Sequence, residues 1–268
     1  MSPADLLLVA LIGLAGGIFG GLLGIGGSIV MIPLLGLALG PNQQLYQAAC
    51  MIVNVVVALG AVRRHAMAGS VRGDCFRWML PASTVAILIG VLVSNRVPSL
   101  VLQRCFGVFL LYVAATEVWR VVRPGDGSEE PPAHVPPSSG VTIGGATGLI
   151  AGLLGVGGGT IAVPLMRTLA RLPLRQAIGT SSAVMTVASA IGAVVKNAAL
   201  PTLKGADGSP LTILASLTIA GALSMPALVG AGLGARLTYA LPLPIVRLAL
   251  VLLLVAAGVR MTGILGSG

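Results

Sequence analysis

One glycine-rich phrase occurs twice in this chain, 131 residues apart. Gly21-Leu22-Leu23-Gly24-Ile25-Gly26-Gly27-Ser28-Ile29, running on to Ile32-Pro33, returns as Gly152-Leu153-Leu154-Gly155-Val156-Gly157-Gly158-Gly159-Thr160, running on to Val163-Pro164. Each copy interrupts a long uncharged apolar segment, Leu6 to Leu39 in the first half and Val141 to Leu169 in the second. A membrane-crossing helix needs about 20 residues. Each segment is too long for one ordinary span and too short for two. Two half-length helices joined by glycines and returning to one side would fit, and so would a single long kinked span. A duplicated, glycine-broken hydrophobic segment is the sequence pointer to the binding site of a secondary transporter.

Composition sets the solvent. The chain has 268 residues, 56% hydrophobic and only 9% charged, with a mean hydropathy of +1.02. Soluble domains carry roughly 25% charged residues, so this chain cannot cover its surface with polar groups, and its partner is the lipid bilayer. Backbone groups in lipid must be satisfied internally. The apolar runs are continuous and lack the alternation of barrel strands, so the expected fold is an all-α polytopic membrane protein. The net charge of +9 comes from basic residues scattered singly between apolar runs, which argues against a nucleic-acid partner. Cys50, Cys75 and Cys105 are odd in number and lack metal-ligand spacing, so no disulfide framework or metal site is expected, and no motif calls for a cofactor. Met1 to Asp5 contains no basic residue, so the first apolar run reads as retained rather than as a cleaved signal.

The runs arrange as two repeats, 1–123 and 141–268, joined by a polar, Pro-rich linker at 124–140 that reads as mobile. Each repeat is expected to hold the broken segment followed by three transmembrane helices: about 46–62, 78–94 and 99–119, then 176–195, 211–232 and 243–259. If the broken segments re-enter, the repeats are inverted. That topology places 11 basic residues on one side and 5 on the other, namely Arg96, Arg104, Lys196, Lys204 and Arg260. Four crossings per half give 9 and 7. Basic residues favour the cytoplasmic side, so the inverted arrangement is preferred.

The residues that bear chemistry follow from this plan. Gly24, Gly26 and Gly27, with Gly155, Gly157, Gly158 and Gly159, weaken a continuous helix and let another backbone approach. Ser28 and Thr160 can cap the helix half that follows. A helix starting inside the membrane offers N–H groups and a positive dipole end, which suits an anion. Close helix packing is the other reading of the same glycines. Gly60-Ala61-Val62-Arg63-Arg64 aligns with Gly192-Ala193-Val194-Val195-Lys196. Arg64 and Lys196 are therefore candidate cations for an anion, or else helix-end residues that snorkel. Asn54 and the run Thr180-Ser181-Ser182 can line a polar cavity or bond backbone. Every Asp and Glu lies near a segment end or in a loop, which disfavours a carboxylate proton relay or a cation pore. His65 and Glu117 remain as titrating groups. Both histidines lie outside the spans and no HExxH occurs, so enzymatic activity is not expected.

These motifs together resemble the sulfite exporter TauE/SafE family, also called the 4-toluene sulfonate uptake permeases. The resemblance rests on Gly20 to Ser28 with Ile32-Pro33, Gly152 to Thr160 with Val163-Pro164, Gln176-Ala177-Ile178-Gly179-Thr180-Ser181, Gly69-Ser70-Val71 and Gly232-Leu233-Gly234-Ala235-Arg236-Leu237. It covers nearly the whole chain outside the linker. It implies a carrier of a small sulfur-containing anion, sulfite or an organosulfonate, in the bacterial inner membrane. An anion channel and a non-transporting membrane partner of sulfur-metabolising enzymes are the alternatives, and the sequence is compatible with a monomer or a homo-oligomer.

Overall fold

The structure is a computed structural model that describes residues 2–23, 26–122, 132–205, 208–237 and 243–263. Ten α-helices occur among them: α1 (Pro3–Leu23), α2 (Ser28–Leu39), α3 (Gln43–Met67), α4 (Gly73–Arg96), α5 (Ser99–Val122), α6 (Pro137–Leu154), α7 (Gly159–Leu169), α8 (Leu174–Ala199), α9 (Ile213–Leu237) and α10 (Leu243–Thr262). Seven are long and apolar enough to cross a membrane, and no strand is present among the described residues. The chain is an all-α polytopic membrane protein.

Both broken segments fold as hairpins. A side-chain carbon on Gly16 would meet the Met31 side chain and lie 3.0 Å from the Gly27 carbonyl. In one continuous helix the 15 steps between residues 16 and 31 would hold them about 22 Å apart. In the second half, Ile143 of α6 shares a core with Ala162, Val163 and Met166 of α7. The arms are unequal, however. Of the two options the sequence left, a single kinked span is absent and the hairpin is present, but its first arms hold 21 and 18 residues and only the second arms are half-length, at 12 and 11.

The remaining helices end two to five residues past their sequence-predicted edges, and their starts move by up to five residues, α9 beginning two residues later than expected. α6 begins four residues early. Pro137, Ser138, Ser139 and Gly140, placed in the linker from sequence, form its first turn. Proline fits there because the first helical N–H needs no partner within the helix. Residues 124–131 lie outside the described residues. Pro132 to Val135 are fastened to the start of α4. The Arg72 guanidinium donates to the Pro132 and Ala133 carbonyls at 2.7 and 3.0 Å, and the Val135 N–H donates to Asp74 at 3.0 Å.

Long-range pairing crosses between the halves. α1 packs on α9 and α6 packs on α4. The contact residues are small and repeat every fourth position. Gly13, Gly17 and Gly21 lie on the backbones of Leu223, Ala227 and Ala231, and Gly144, Gly148 and Gly152 lie on those of Met79, Ser83 and Ile87. Both pairs run parallel and in the same register. α3 with α8 and α5 with α10 run antiparallel, since Lys196 near the end of α8 meets Gln44 near the start of α3, and Gly258 meets Gly107. Exchanging the first five helices for the last five leaves these pairings unchanged.

The paired glycines leave no room for a side chain. Gly148→Leu, which drives four carbons into the Ser83 backbone, is expected to cost about 3 kcal/mol. A fall in thermal midpoint without a fall in expression checks it, and an unchanged midpoint refutes the packing.

Candidate functional site

The tips of the two hairpins meet in the middle of the bundle. Gly155 closes α6 in the left-handed conformation (φ 73°), its N–H donating to the Ala151 carbonyl at 2.8 Å. Gly26 turns the first tip with φ 83°. A side chain on Gly26 would begin 3.3 Å from the Gly157 Cα, so the tips are in contact. Two polar side chains hold them. The Gly157 N–H donates to Ser28 Oγ at 2.7 Å, and Asn54 Nδ2 of α3 donates to the Gly155 carbonyl at 3.4 Å.

The expected capping by Ser28 and Thr160 does not occur. The capping residues are Gly27 and Gly158, which offer no side chain. Ser28 is the first residue of α2 and reaches across to the other hairpin, whereas Thr160 Oγ1 donates to the Gly157 carbonyl at 3.4 Å. The N–H groups of Val30 and Met31 donate to the Gly27 carbonyl and those of Thr160, Ile161 and Ala162 to the Gly157 and Gly158 carbonyls, so the two helix starts bear on the cavity through the glycines that line it, Gly27, Gly158 and Gly159, and through their positive dipole ends.

Above the tips lies a cavity of about 580 Å³, open at one end of the bundle. Of the sequence candidates, Gly26, Gly27, Asn54, Gly157, Gly158, Gly159, Ser181 and Ser182 line it. Val57, Ala58, Ile178 and Met185 supply apolar wall. His65 of α3 and Arg236 of α9 line it too, and no carboxylate does so among the described residues. A lining of backbone N–H groups, hydroxyls and basic side chains favours an anion.

The other candidates fall elsewhere. Thr180 is buried and accepts the Arg72 N–H at 2.9 Å, which joins the loop before α4 to the start of α8 at one end of the bundle. Gly155 packs on Gln47. Gly24 lies outside the described residues, as does the side chain of Arg64, whose backbone belongs to α3 beside His65. Lys196 is fully buried but at the opposite end, away from the cavity. Its Nζ donates to Gln44 Oε1 of α3 and to Ser94 Oγ and Asn95 Oδ1 of α4, the last two at 2.8 and 2.9 Å. Three acceptors match the three donors of an ammonium group. Arg64 and Lys196 therefore do not converge on one site. Glu117 pairs with Arg247 of α10 at 3.7 Å and does not line the cavity.

The sequence assigns Arg236 no binding role and leaves His65 as a titrating group outside the spans, because single basic residues at span ends read as topology signals. The available signal was Arg236's place at the end of the Gly232-Leu233-Gly234-Ala235 run.

The chain matches the sequence profile described as sulfite exporter TauE/SafE over residues 9–261. It belongs to that family. Among its relatives, the probable membrane transporter protein MamO of Magnetospirillum gryphiswaldense is 28% identical over 276 aligned positions, covering 92% of this chain and 43% of the relative. This TauE/SafE chain thus spans less than half the length of that protein. A probable membrane transporter protein of Haemophilus influenzae is 27% identical, covering 66% of this chain and 68% of the relative. For YunE of Bacillus subtilis, also named a probable membrane transporter, the figures are 26%, 70% and 76%. No solved structure matches this family member.

Proposed function

We propose that this chain is a secondary transporter carrying a small sulfur-containing anion, of the sulfite or organosulfonate class, across the bacterial inner membrane. The anion rests in the cavity where the hairpin tips meet. The observation that carries this reading is the lining, which combines two helix starts, two serines, Asn54, His65 and Arg236 with no carboxylate among the described residues. The oxygens of a sulfite or sulfonate group accept from Arg236, Asn54 and Ser181, while Ser182 Oγ donates to the Ile178 carbonyl at 2.8 Å. A cavity of about 580 Å³ is large for a bare inorganic ion. Its apolar wall favours an organosulfonate, whose hydrocarbon part would cover Val57, Ile178 and Met185.

We read the two halves as inverted repeats. The antiparallel course of α3 and α8 supports this, as does the register shared by the α1–α9 and α4–α6 pairs. The basic-residue bias then turns the cavity mouth toward the cytoplasm. The repeat match equates Gly20, Ala61 and His65 with Ala151, Ala193 and Asn197. The shared helix register equates Ala231 and Ala235 with Ile87 and Val91. All of these counterparts are buried. The place where a second mouth would lie is packed shut by Ile87, Ala151, Met185 and Ala188, and by Met51, Val91 and Ala193, with the Lys196 cluster beyond them. Alternating access exchanges the open and closed ends around one site. One end open and its counterpart closed favours a carrier over a channel.

Counterflow in liposomes tests the reading. Internal organosulfonate is expected to accelerate uptake of labelled organosulfonate, and Arg236→Gln is expected to raise the half-saturating concentration about tenfold. Uptake indifferent to internal substrate would support a channel. Uptake absent for every sulfite and sulfonate tested would refute the substrate class.

A further inference from the structure

A second concavity of about 1050 Å³ lies at the end of the bundle away from the cavity mouth, between α2, the start of α3, the start of α5 and the end of α10. Its lining divides into two kinds of surface. One is a cluster of donors. Arg104 and Arg260 project from adjoining helices, and neither is paired with a carboxylate among the described residues. Gln43 lies behind them, only 2% exposed, and its Nε2 has no hydrogen-bond partner. A buried amide NH2 without an acceptor is uncommon in a folded protein. Two guanidinium groups and an unpaired amide, with no carboxylate among the described lining residues, make a donor-rich surface that suits an anion with several acceptor oxygens.

The other surface is apolar and continuous with the outside of the bundle. Leu37 and Leu100 line the groove and are exposed, 40% and 56%, on the apolar helices α2 and α5. Gly36 and Gly40 lower the α2 wall, since a side-chain carbon on either would meet nothing within 4 Å. A free oxyanion would use the donors alone. An anionic phospholipid uses both, with its phosphate on the donors and an acyl chain along α2. Arginine at the membrane interface commonly meets lipid phosphate, but here the buried amide and the open apolar channel add what a snorkelling side chain lacks.

We propose that this groove is a binding site for an anionic phospholipid, its phosphate held by Arg104, Arg260 and Gln43. The site is separate from the transport cavity and does not depend on which anion the cavity carries.

The test uses the full chain purified in a neutral detergent. Added phosphatidylglycerol is expected to raise the thermal midpoint by about 5 °C, while phosphatidylcholine and inorganic phosphate at equal concentration leave it unchanged. Two variants are expected to lose the shift by different routes: Arg104→Gln with Arg260→Gln, which removes the cations, and Gly36→Phe, which fills the acyl channel and leaves the cations in place. If the arginine variant fails to fold, Gly36→Phe still decides. A shift that survives in the folded variants overturns the site. An equal shift with inorganic phosphate overturns the lipid in favour of a free anion, and an equal shift with phosphatidylcholine shows only general solvation.

Discussion

Lys196→Met is expected to open the sealed end of the bundle. The native Nζ ties α8 to α3 through Gln44 and to α4 through Ser94 and Asn95, and Gln44 Nε2 adds bonds to the Ser94 and Val97 carbonyls at 2.7 and 3.1 Å. Methionine preserves the stem and removes every donor, leaving three acceptors in a buried place. Each orphaned acceptor costs about 1–3 kcal/mol, and the cost falls on the closed arrangement, because water reaches those groups when that end opens. A shift of about 1.4 kcal/mol changes a population tenfold. A cysteine at Ala193, just inside the cluster, in a background lacking Cys50, Cys75 and Cys105, should therefore react with an impermeant thiol reagent at least about ten times faster than in the Lys196 parent. A cysteine at Ala61, facing the present cavity, should react more slowly. Unchanged rates at both places in a folded variant would make Lys196 a static strut. The same labelling reports topology. Ala61 and Ala193 should react from opposite faces of the membrane, and reaction from one face would refute inversion.

Gly27→Val is expected to abolish transport and lower stability, whereas Gly158→Ala weakens substrate binding and leaves stability near the parent. The two glycines occupy matching places with different neighbours. A carbon on Gly27 would lie 2.7 Å from the carbonyl oxygen of Gly16, a backbone atom fixed in α1, so the hairpin must open to admit it. A carbon on Gly158 would run into the end of the Met185 side chain, which is flexible and can move. Its open direction is the cavity that Met185 already lines. The expected result for Gly158→Ala is a thermal midpoint within a few degrees of the parent and roughly tenfold weaker substrate binding. Normal counterflow by a folded Gly27→Val variant would remove the hairpin tips from the transport path.

The helices were legible because their apolar runs are continuous, and the breaks were legible because four glycines within eight residues cannot sustain a helix. Unequal hairpin arms were not legible, since hydropathy does not mark where a turn falls within an unbroken apolar run. The pairing of α1 with α9 was also hidden. Gly13, Gly17 and Gly21 announce a close approach without naming the helix that approaches. The site divides the same way. Gly26, Gly27, Gly157, Gly158 and Gly159 of the duplicated phrase meet at the cavity, and Asn54, Ser181 and Ser182 reach it from α3 and α8. Thr180, one residue before Ser181, turns about 100° away around α8 and faces the loop holding Arg72. Matching Arg64 to Lys196 by repeat misled for a geometric reason. When the directions of α3 and α8 oppose, equivalent residues sit at opposite ends, so likeness of position argues against shared contact with one ligand.

The crossed glycine seams fix an order of assembly. α6 leaves the ribosome soon after α4, so Gly144, Gly148 and Gly152 find Met79, Ser83 and Ile87 across about 65 residues of chain. α1 is made first and waits longest, because the backbone that fits Gly13, Gly17 and Gly21 follows about 210 residues later. Closing the longer loop costs more entropy and comes late in synthesis. Two seams alike in the finished protein are thus unlike in its making. Until α9 inserts, α1 lacks the backbone its glycines fit, and a chain cut short before Ile213 can seat α6 on α4 but leaves the first hairpin without its partner.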